Sequence, residues 1–183
     1  MMSIREPKSD PRFLSRYNVE CWAEGIVTQA DILNSFTARH KALSEKAQLE
    51  NRNPMPEIQR NMREFQRHRV FFIVATYRLL AFGKWAMECG AISKPVFSEL
   101  LNYETEIISM RDMTMHDIPY LKGGGRHGNA WTTKNEFGTI DASATYGDSL
   151  GGKLSISEMR SIAQDILDNL PPFYWETQET PSA

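Results

Sequence analysis

The spacing of apolar residues between Pro56 and Cys89 constrains the fold more than any other feature of the sequence. Pro56 suits the first turn of a helix, where a missing N–H costs no hydrogen bond. A helix that runs from there to Cys89 spans about 50 Å, so it is either kinked or the spine of a helical fold. The apolar residues recur at the period of an α-helix and include Ile58, Met62, Phe65, Phe72, Ile73, Leu79, Leu80 and Trp85.

A first helix is predicted before this long one. Thr28-x-x-Asp31 resembles an N-terminal capping motif, and apolar residues at helical spacing follow it to about Glu50. Between Phe13 and Ile26 we expect a short helix or an irregular lead-in. Residues 1–12 combine two prolines with several charges, which predicts a loosely held N-terminal arm.

A third helix is predicted after Gly90, because Ser93-Lys-Pro95 is typical of a helix start. It should end at Pro119, since proline cannot continue a helix interior. The residues of the segment 130–153 then favour β-structure and include several glycines at turn positions. This segment is predicted to form a small hairpin or an ordered loop.

The last helix has the clearest start signal. Ser155-x-x-Glu158 is a capping box, in which side chains and backbone groups bind each other across the first turn. Residues 1–183 are expected to form one helical domain, with residues 176–183 as a tail. The predicted fold class is mainly α: an antiparallel helical bundle with a small β-hairpin insert before the last helix.

Composition limits the classes of function. The chain has 21 Lys and Arg against 23 Asp and Glu, a formal net charge of -2, whereas proteins coated in nucleic acid are usually basic. Any phosphate contact must therefore come from a local patch. Cys21 and Cys89 are too few for a disulfide framework and form no C-x-x-C pair. Neither a structural zinc site nor another cofactor is expected.

The sequence also predicts where the protein resides. The most apolar run, Val70 to Phe82, spans 13 residues and contains Arg78. It is too short to cross a bilayer and is typical of a buried helix. The first residues are charged and lack the apolar region of a secretory signal. We therefore predict a cytoplasmic protein that makes no membrane contact.

Residues suited to catalysis are concentrated at the predicted end of the third helix, in Arg111-Asp112-Met-Thr-Met-His116. Histidine titrates near neutral pH and can move a proton, and arginine can hold a phosphate with paired donors. This pair suits metal-independent attack on a phosphodiester. On a regular helix a five-residue step places two side chains about 140° apart. They would converge only if the helix distorts near Pro119, or if a second subunit completes the site.

This segment resembles the R-x-x-x-x-H signature of the HEPN superfamily, whose members are small helical bundles in which Asn, Asp or His often follows the arginine. The resemblance covers the motif and the helix order over about residues 56–121. It implies a homodimer in which two motifs face each other across a cleft and, in active members, RNA cleavage without a metal ion. Carried over, His116 would be the general base or acid, Arg111 would stabilise the transition state, and Asp112 would orient its neighbours.

A basic stripe in the long helix is a first candidate for RNA contact. Arg60, Arg63 and Arg67 fall on one helical face and could follow a phosphate backbone. The alternative interpretation is a solvated helix surface whose charge is balanced by Glu57 and Glu64.

A glycine-rich segment directly after the motif is a second candidate. It contains Lys122, Arg126 and His127, and its backbone amides and basic side chains could wrap a phosphate. The alternative interpretation is a flexible connection after a helix. In a HEPN-like site this segment would flank the cleft.

The sequence leaves three functions open. The leading one is a HEPN-like metal-independent ribonuclease or RNA-binding protein that acts through Arg111 and His116 at a dimer cleft. If these two residues are instead buried in separate ion pairs, with Asp112, Asp117 or Glu106, the chain is a non-catalytic helical interaction module. Such a module would bind a protein partner, for example as one component of a toxin–antitoxin or defence pair. A deep apolar cavity between the helices would favour a third function, the binding of a small ligand.

Overall fold

Helices account for most of the structure. The computed structural model describes residues 10–135 and 138–173. Within these ranges the fold is mainly α, with a β insert before the last helix, as the sequence predicts. The elements follow in the order α1 (Pro11–Leu49), α2 (Met55–Glu88), α3 (Lys94–Asn102), α4 (Glu104–Met115), α5 (Asp117–Leu121), β1 (Thr132–Asn135), β2 (Gly138–Asp141), β3 (Thr145–Tyr146), β4 (Ser149–Leu150), β5 (Leu154–Ser155) and α6 (Ile156–Asp168).

The two longest helices, α1 and α2, pack against each other in opposite directions. Near the start of α1, Arg12 donates a hydrogen bond from Nε to the carbonyl oxygen of Cys89, just past the end of α2 (3.0 Å). Further along, Asn61 near the start of α2 donates from Nδ2 to the carbonyl oxygen of Phe36 (3.3 Å). Because a short connection at residues 50–54 joins the helices, the start of each one lies beside the end of the other.

Helix α6 packs antiparallel to α1 on another side. Arg160 in α6 donates from Nε to Oδ1 of Asp31, in the middle of α1 (2.7 Å). Arg16, near the start of α1, donates from Nε to the carbonyl oxygen of Pro171, beyond the end of α6 (2.6 Å). Both contacts therefore join the first and last helices, which are far apart in the sequence.

Helix α4 packs antiparallel to α2 and completes the predicted antiparallel bundle. An ion pair between Lys84 and Glu104 joins the last turns of α2 to the start of α4. Towards the end of α4, the guanidinium carbon of Arg111 lies 5.1 Å from the ring centroid of Tyr77. Helix α1 therefore has α2 and α6 as neighbours, and α2 has α4 on its other side.

The prediction of a separate lead-in before a helix that starts at Thr28 is wrong. Helix α1 continues from Pro11 to Leu49 without a break, because its apolar stripe runs straight through the predicted start. Burying one such side chain stabilises a fold by about 1.5–3 kcal/mol, which outweighs a weak capping signal. The buried members of the stripe on both sides of Thr28 are Val19, Ala23, Ile26, Ala30 and Leu33.

The true start of α1 is at Asp10-Pro11. The Asp10 carboxylate accepts a hydrogen bond from the backbone N–H of Arg12 (2.9 Å), and Pro11 fills the first helical position. Residues 11 and 12 of the predicted N-terminal arm therefore belong to the helix. The rest of that arm, residues 1–9, lies outside the described residues, as does the predicted tail at 176–183.

The single third helix predicted from Ser93 to Pro119 is divided in the structure. It is interrupted at Tyr103, which separates α3 from α4, and α4 ends at Met115. The second end has a physical reason. Pro119 has no N–H to offer the carbonyl of Met115, and its ring would clash with that carbonyl if the helix continued. Pro119 is tolerated instead in the first turn of α5, where helix N–H groups need no partner.

The predicted hairpin insert contains two small antiparallel sheets. Strands β1 and β2 form one, and β3, β4 and β5 form the other. Leu150 and Leu154 of the second sheet are fully buried, so the insert is anchored in the core. Half of the predicted capping box is observed directly after it, because Ser155 Oγ accepts a hydrogen bond from the backbone N–H of Glu158 (3.0 Å), whereas the Glu158 carboxylate accepts from the hydroxyl of Tyr103.

Helix α2 contains a stretch that is long and apolar enough to cross a bilayer by length and composition alone, with a mean hydropathy of 1.4. Of that stretch, 44% is buried inside the protein. The central helix of a soluble protein meets the same criterion, so the stretch is weak evidence for a membrane span. The cytoplasmic location and the absence of membrane contact stay predictions.

Gly83 lies where α2 meets α3. A Cβ at this position would lie 2.3 Å from a ring carbon of Phe97, which is fully buried. We expect Gly83→Ala to lower the free energy of unfolding by about 1–3 kcal/mol through overpacking, as measured by urea denaturation. Gly25→Ala in α1 is the matched control, because nothing lies within 4 Å of its Cβ. It should raise stability by about 0.5–1 kcal/mol, and equal effects of the two substitutions would contradict this packing.

Candidate functional site

The R-x-x-x-x-H motif lies where α4 ends. Arg111 and Asp112 occupy the last turns of the helix, and His116 is the residue that terminates it, with φ -130° and ψ 43°. These angles lie outside the helical region, so His116 leaves the helical path. The helix therefore departs from its regular path at His116, which is one of the two conditions under which Arg111 and His116 could converge.

The carboxylate of Asp112 is the centre of a polar cluster. Its Oδ2 accepts a hydrogen bond from the hydroxyl of Tyr120 (3.1 Å) and lies 3.4 Å from Nε2 of His127. Its Oδ1 lies 3.9 Å from Nε2 of His116. One carboxylate is thus placed between two imidazole rings, close enough to attract either ring when it is protonated.

Tyr120 joins this cluster to the loop that follows α5. Besides donating to Asp112, its hydroxyl accepts a hydrogen bond from the backbone N–H of His127 (2.9 Å). Its ring is stacked on Trp131, with centroids 5.1 Å apart. Gly125 has φ +99°, and a Cβ there would lie 2.4 Å from the Tyr120 ring. Only glycine therefore fits this close approach of the loop to the ring.

Arg111 faces away from this cluster. Its guanidinium lies over the ring of Tyr77 in α2, which is a cation–π contact. Within the described residues it forms no ion pair, and no hydrogen bond joins it to His116. The structure therefore brings His116, Asp112 and His127 together, but it does not add Arg111 to them within one chain.

The cluster is open to solvent on the side of the histidines. The His116 side chain is 61% exposed and that of His127 is 29% exposed, whereas that of Asp112 is 14% exposed. Lys122 and Arg126, in the same loop as His127, are exposed. A ligand can therefore reach both rings and two positive charges, while the carboxylate is held behind them.

The basic stripe of α2 is exposed as well. Arg60, Arg63 and Arg67 all lie at the surface, and none has an ion pair in the part of the chain that the structure describes. The carboxylates of Glu57 and Glu64, expected to balance them, each pair with a different arginine, at 2.7 and 3.1 Å. The positive charge of the stripe is therefore not neutralised by these two groups.

Sequence reasoning missed two features of this region. Tyr120 carries no motif, yet its hydroxyl connects the loop to the helix end. Arg69 follows the basic stripe directly in the sequence but is buried, with 4% of its surface exposed, and it donates to the carbonyl oxygen of Ala142 in the insert. Among the described residues, no group of three or more His, Cys, Asp or Glu side chains is arranged to hold a metal ion.

Neither a protein-family model, nor a curated protein, nor a solved structure matches this chain. The resemblance to the HEPN superfamily therefore depends on the motif and on the order of the helices. Any function must be argued from the geometry of the cluster around Asp112.

Removing the Tyr120 hydroxyl should loosen the loop without unfolding the protein. In Tyr120→Phe the backbone N–H of His127 loses its acceptor, so we expect its hydrogen exchange, followed by NMR, to accelerate about tenfold or more. Tyr17→Phe is the matched control, because Tyr17 is 49% exposed on α1 and should leave this amide unchanged. Unaltered exchange at His127 in Tyr120→Phe would show that the hydroxyl does not hold the loop.

Proposed function

We propose that this protein binds RNA and cleaves it without a metal ion at the cluster of Asp112, His116 and His127. The observation that carries the proposal is the single carboxylate between two solvent-accessible histidines, beside a basic loop. Two histidines can share the work of phosphodiester cleavage, because one accepts a proton while the other donates one.

The proposed reaction is an internal transfer. The neutral ring of one histidine removes the proton from the ribose 2'-hydroxyl, and the 2'-oxygen attacks phosphorus. The bond from phosphorus to the 5'-oxygen breaks, and the protonated ring of the other histidine gives its proton to that oxygen. The products are a 2',3'-cyclic phosphate and a free 5'-hydroxyl. Both rings point Nε2 at Asp112, so Nδ1 of each is the atom left for the substrate, and Asp112 stabilises whichever ring is charged.

Arg111 fits this proposal best as a contribution across a homodimer. Large apolar side chains are exposed around the motif, which is typical of a surface that another protein covers. They are Ile108, Met115, Ile118 and Leu121, with 39, 50, 61 and 65% of their surface exposed. In the proposed homodimer these side chains meet their counterparts, and Arg111 of one protomer approaches the histidines of the other to stabilise the charged phosphorus centre.

The remaining basic residues supply RNA affinity. Arg60, Arg63 and Arg67 on α2, together with Lys122 and Arg126 in the loop, are exposed cations. Cations of this kind bind phosphates without regard to sequence, and the binding weakens as salt concentration rises. The chain is slightly acidic overall, so this local charge is what attracts RNA.

A second candidate function is the non-catalytic interaction module, with a protein partner such as the other component of a toxin–antitoxin or defence pair. The low exposure of Asp112 and its hydrogen bond from Tyr120 favour it, since such a network also stabilises a helix end with no catalytic role. In that case the exposed apolar side chains around the motif bind the protein partner.

Cleavage of labelled RNA in excess EDTA tests the proposal. We expect the native protein to produce cyclic-phosphate ends, and His116→Ala and His127→Ala each to lower the rate by about 10²- to 10⁴-fold. The matched control is His40→Ala, an exposed histidine on α1, which should cleave at the native rate. Native activity in both His116→Ala and His127→Ala would place the chemistry elsewhere. No cleavage across a broad panel of RNAs would favour the interaction module.

The homodimer has its own test. Ile118→Lys places a charge in the proposed interface, so we expect the native dimer seen by analytical ultracentrifugation to dissociate. Leu49→Lys is the matched control, because Leu49 is 87% exposed at the far end of α1 and should not alter the assembly. A native protein that is monomeric at micromolar concentration would overturn the dimer.

A further inference from the structure

Two neighbouring cavities lie beside the β insert, the first between the insert and the α1–α2 pair, and the second between the insert and α2, α4 and α5. The first, the apolar cavity, has a volume of about 650 Å³, and its walls include Phe36, Met62 and Phe65. The second, the arginine cavity, has a volume of about 250 Å³, and its walls include Arg69 and Trp131. The cavities adjoin each other: Gln66 contributes to both, and consecutive residues of the insert line first one and then the other.

Unpaired polar atoms are concentrated in the walls of these cavities. In the part of the chain that the structure describes, three buried side-chain atoms have no hydrogen-bond partner: Oδ1 of Asn61, Nε of Arg69 and Oγ1 of Thr145. Asn61 and Thr145 line the apolar cavity, and Arg69 lines the arginine cavity. Asn61 and Arg69 are 5 and 4% exposed. These three atoms are themselves inaccessible to solvent, so it is the rest of each side chain that lines the cavity wall.

Arg69 places a buried positive charge in the wall of the arginine cavity. Its guanidinium donates to the carbonyl oxygen of Ala142, but no carboxylate among the described residues lies within ion-pair distance of it. Burial lowers the pKa of Arg69, and Asp141 opposes this at longer range. An arginine stays charged even so, and a buried charge whose counterion lies beyond ion-pair distance is unfavourable. A single anionic group in the cavity would neutralise it, whereas Asp117 in the same wall disfavours a second negative charge.

We infer that the two cavities form one binding site for an elongated, amphipathic organic monoanion with carboxylate-like or sulfonate-like oxygens. Its anionic group pairs with the guanidinium of Arg69, and its apolar body packs against Phe36, Met62 and Phe65. Asn61 lines one cavity and Arg69 the other, and their spacing of eight residues corresponds to about 12 Å along α2, so the ligand is elongated. The site uses none of the residues proposed to cleave RNA, so the two proposals are independent and can be tested separately.

A matched pair of fluorescent probes tests the site in the full-length protein. Anilinonaphthalene sulfonate has two aromatic units, an N–H donor and one sulfonate. Phenylnaphthylamine has the same aromatic framework and N–H but no charge. We expect the native protein to bind the sulfonate about 10- to 100-fold more tightly than the uncharged probe, because only the sulfonate pairs with Arg69. Equal affinities for the two probes would overturn the assignment of Arg69 as the anion-binding group.

Three substitutions locate the binding. Arg69→Met should abolish the preference for the sulfonate. Met62→Trp, which fills the apolar cavity from its rim, should weaken both probes about tenfold or more. Met55→Trp is its matched control, because Met55 is on the same helix and similarly exposed, 48% against 53%, but lines neither cavity. Cooperative thermal unfolding of each variant shows that it is folded.

The outcomes separate this site from its alternatives. If Arg69→Met does not fold, the probe preference of the native protein and the contrast between Met62→Trp and Met55→Trp still decide the matter. Unchanged binding in Met62→Trp would show that the probes bind elsewhere and would overturn the site. Loss of the sulfonate preference in Lys41→Met, at the rim of the apolar cavity, would place the anion at the mouth and overturn the role of Arg69.

Discussion

The packing of α1 against α2 is the interaction on which the rest of the structure depends. Helices in water gain most of their stability from burying an apolar face, and each of these two carries a stripe that matches the other. Their antiparallel contact fixes where every later element can pack. Helix α6 covers α1, α4 covers α2, and the insert lies across the pair. The cluster around Asp112 is placed at the end of α4. One cavity lies between the pair and the insert, and the other between α2, α4, α5 and the insert.

Much of this fold could be predicted from residue patterns that act over a few turns. The helical spacing of the apolar residues predicted α2, and the capping motif at Ser155 predicted the start of α6. Both signals are local in the sequence. The beginning of α1 was misplaced, since Thr28-x-x-Asp31 resembles a cap while Asp31 in fact binds Arg160, 129 residues further along the chain. A contact at that separation leaves no local pattern. The end of α4 was predicted a few residues too late, because Pro119 disrupts the helical hydrogen bond to the residue one turn before it.

The candidate site was predictable only where the residue types themselves suggest chemistry. Asp112 and His116 stood out by their spacing, and His127 by its basic loop, but nothing indicated that Asp112 would lie between the two rings. That arrangement needs α5 to fold back after His116. The burial of Arg69 was predictable, because its side chain, two residues further along the helix, points about 200° away from that of Arg67. A helical projection alone therefore places it on the opposite, buried face.

The double hydrogen bond of Tyr120 has a thermodynamic consequence. One hydroxyl holds a carboxylate on α4 and a backbone N–H in the loop, so neither partner can be displaced without disturbing the other. The free-energy effects of changes at Asp112 and at the loop are therefore not additive, and a double-mutant cycle would yield a coupling energy. The loop and the helix end therefore act as one cooperative unit.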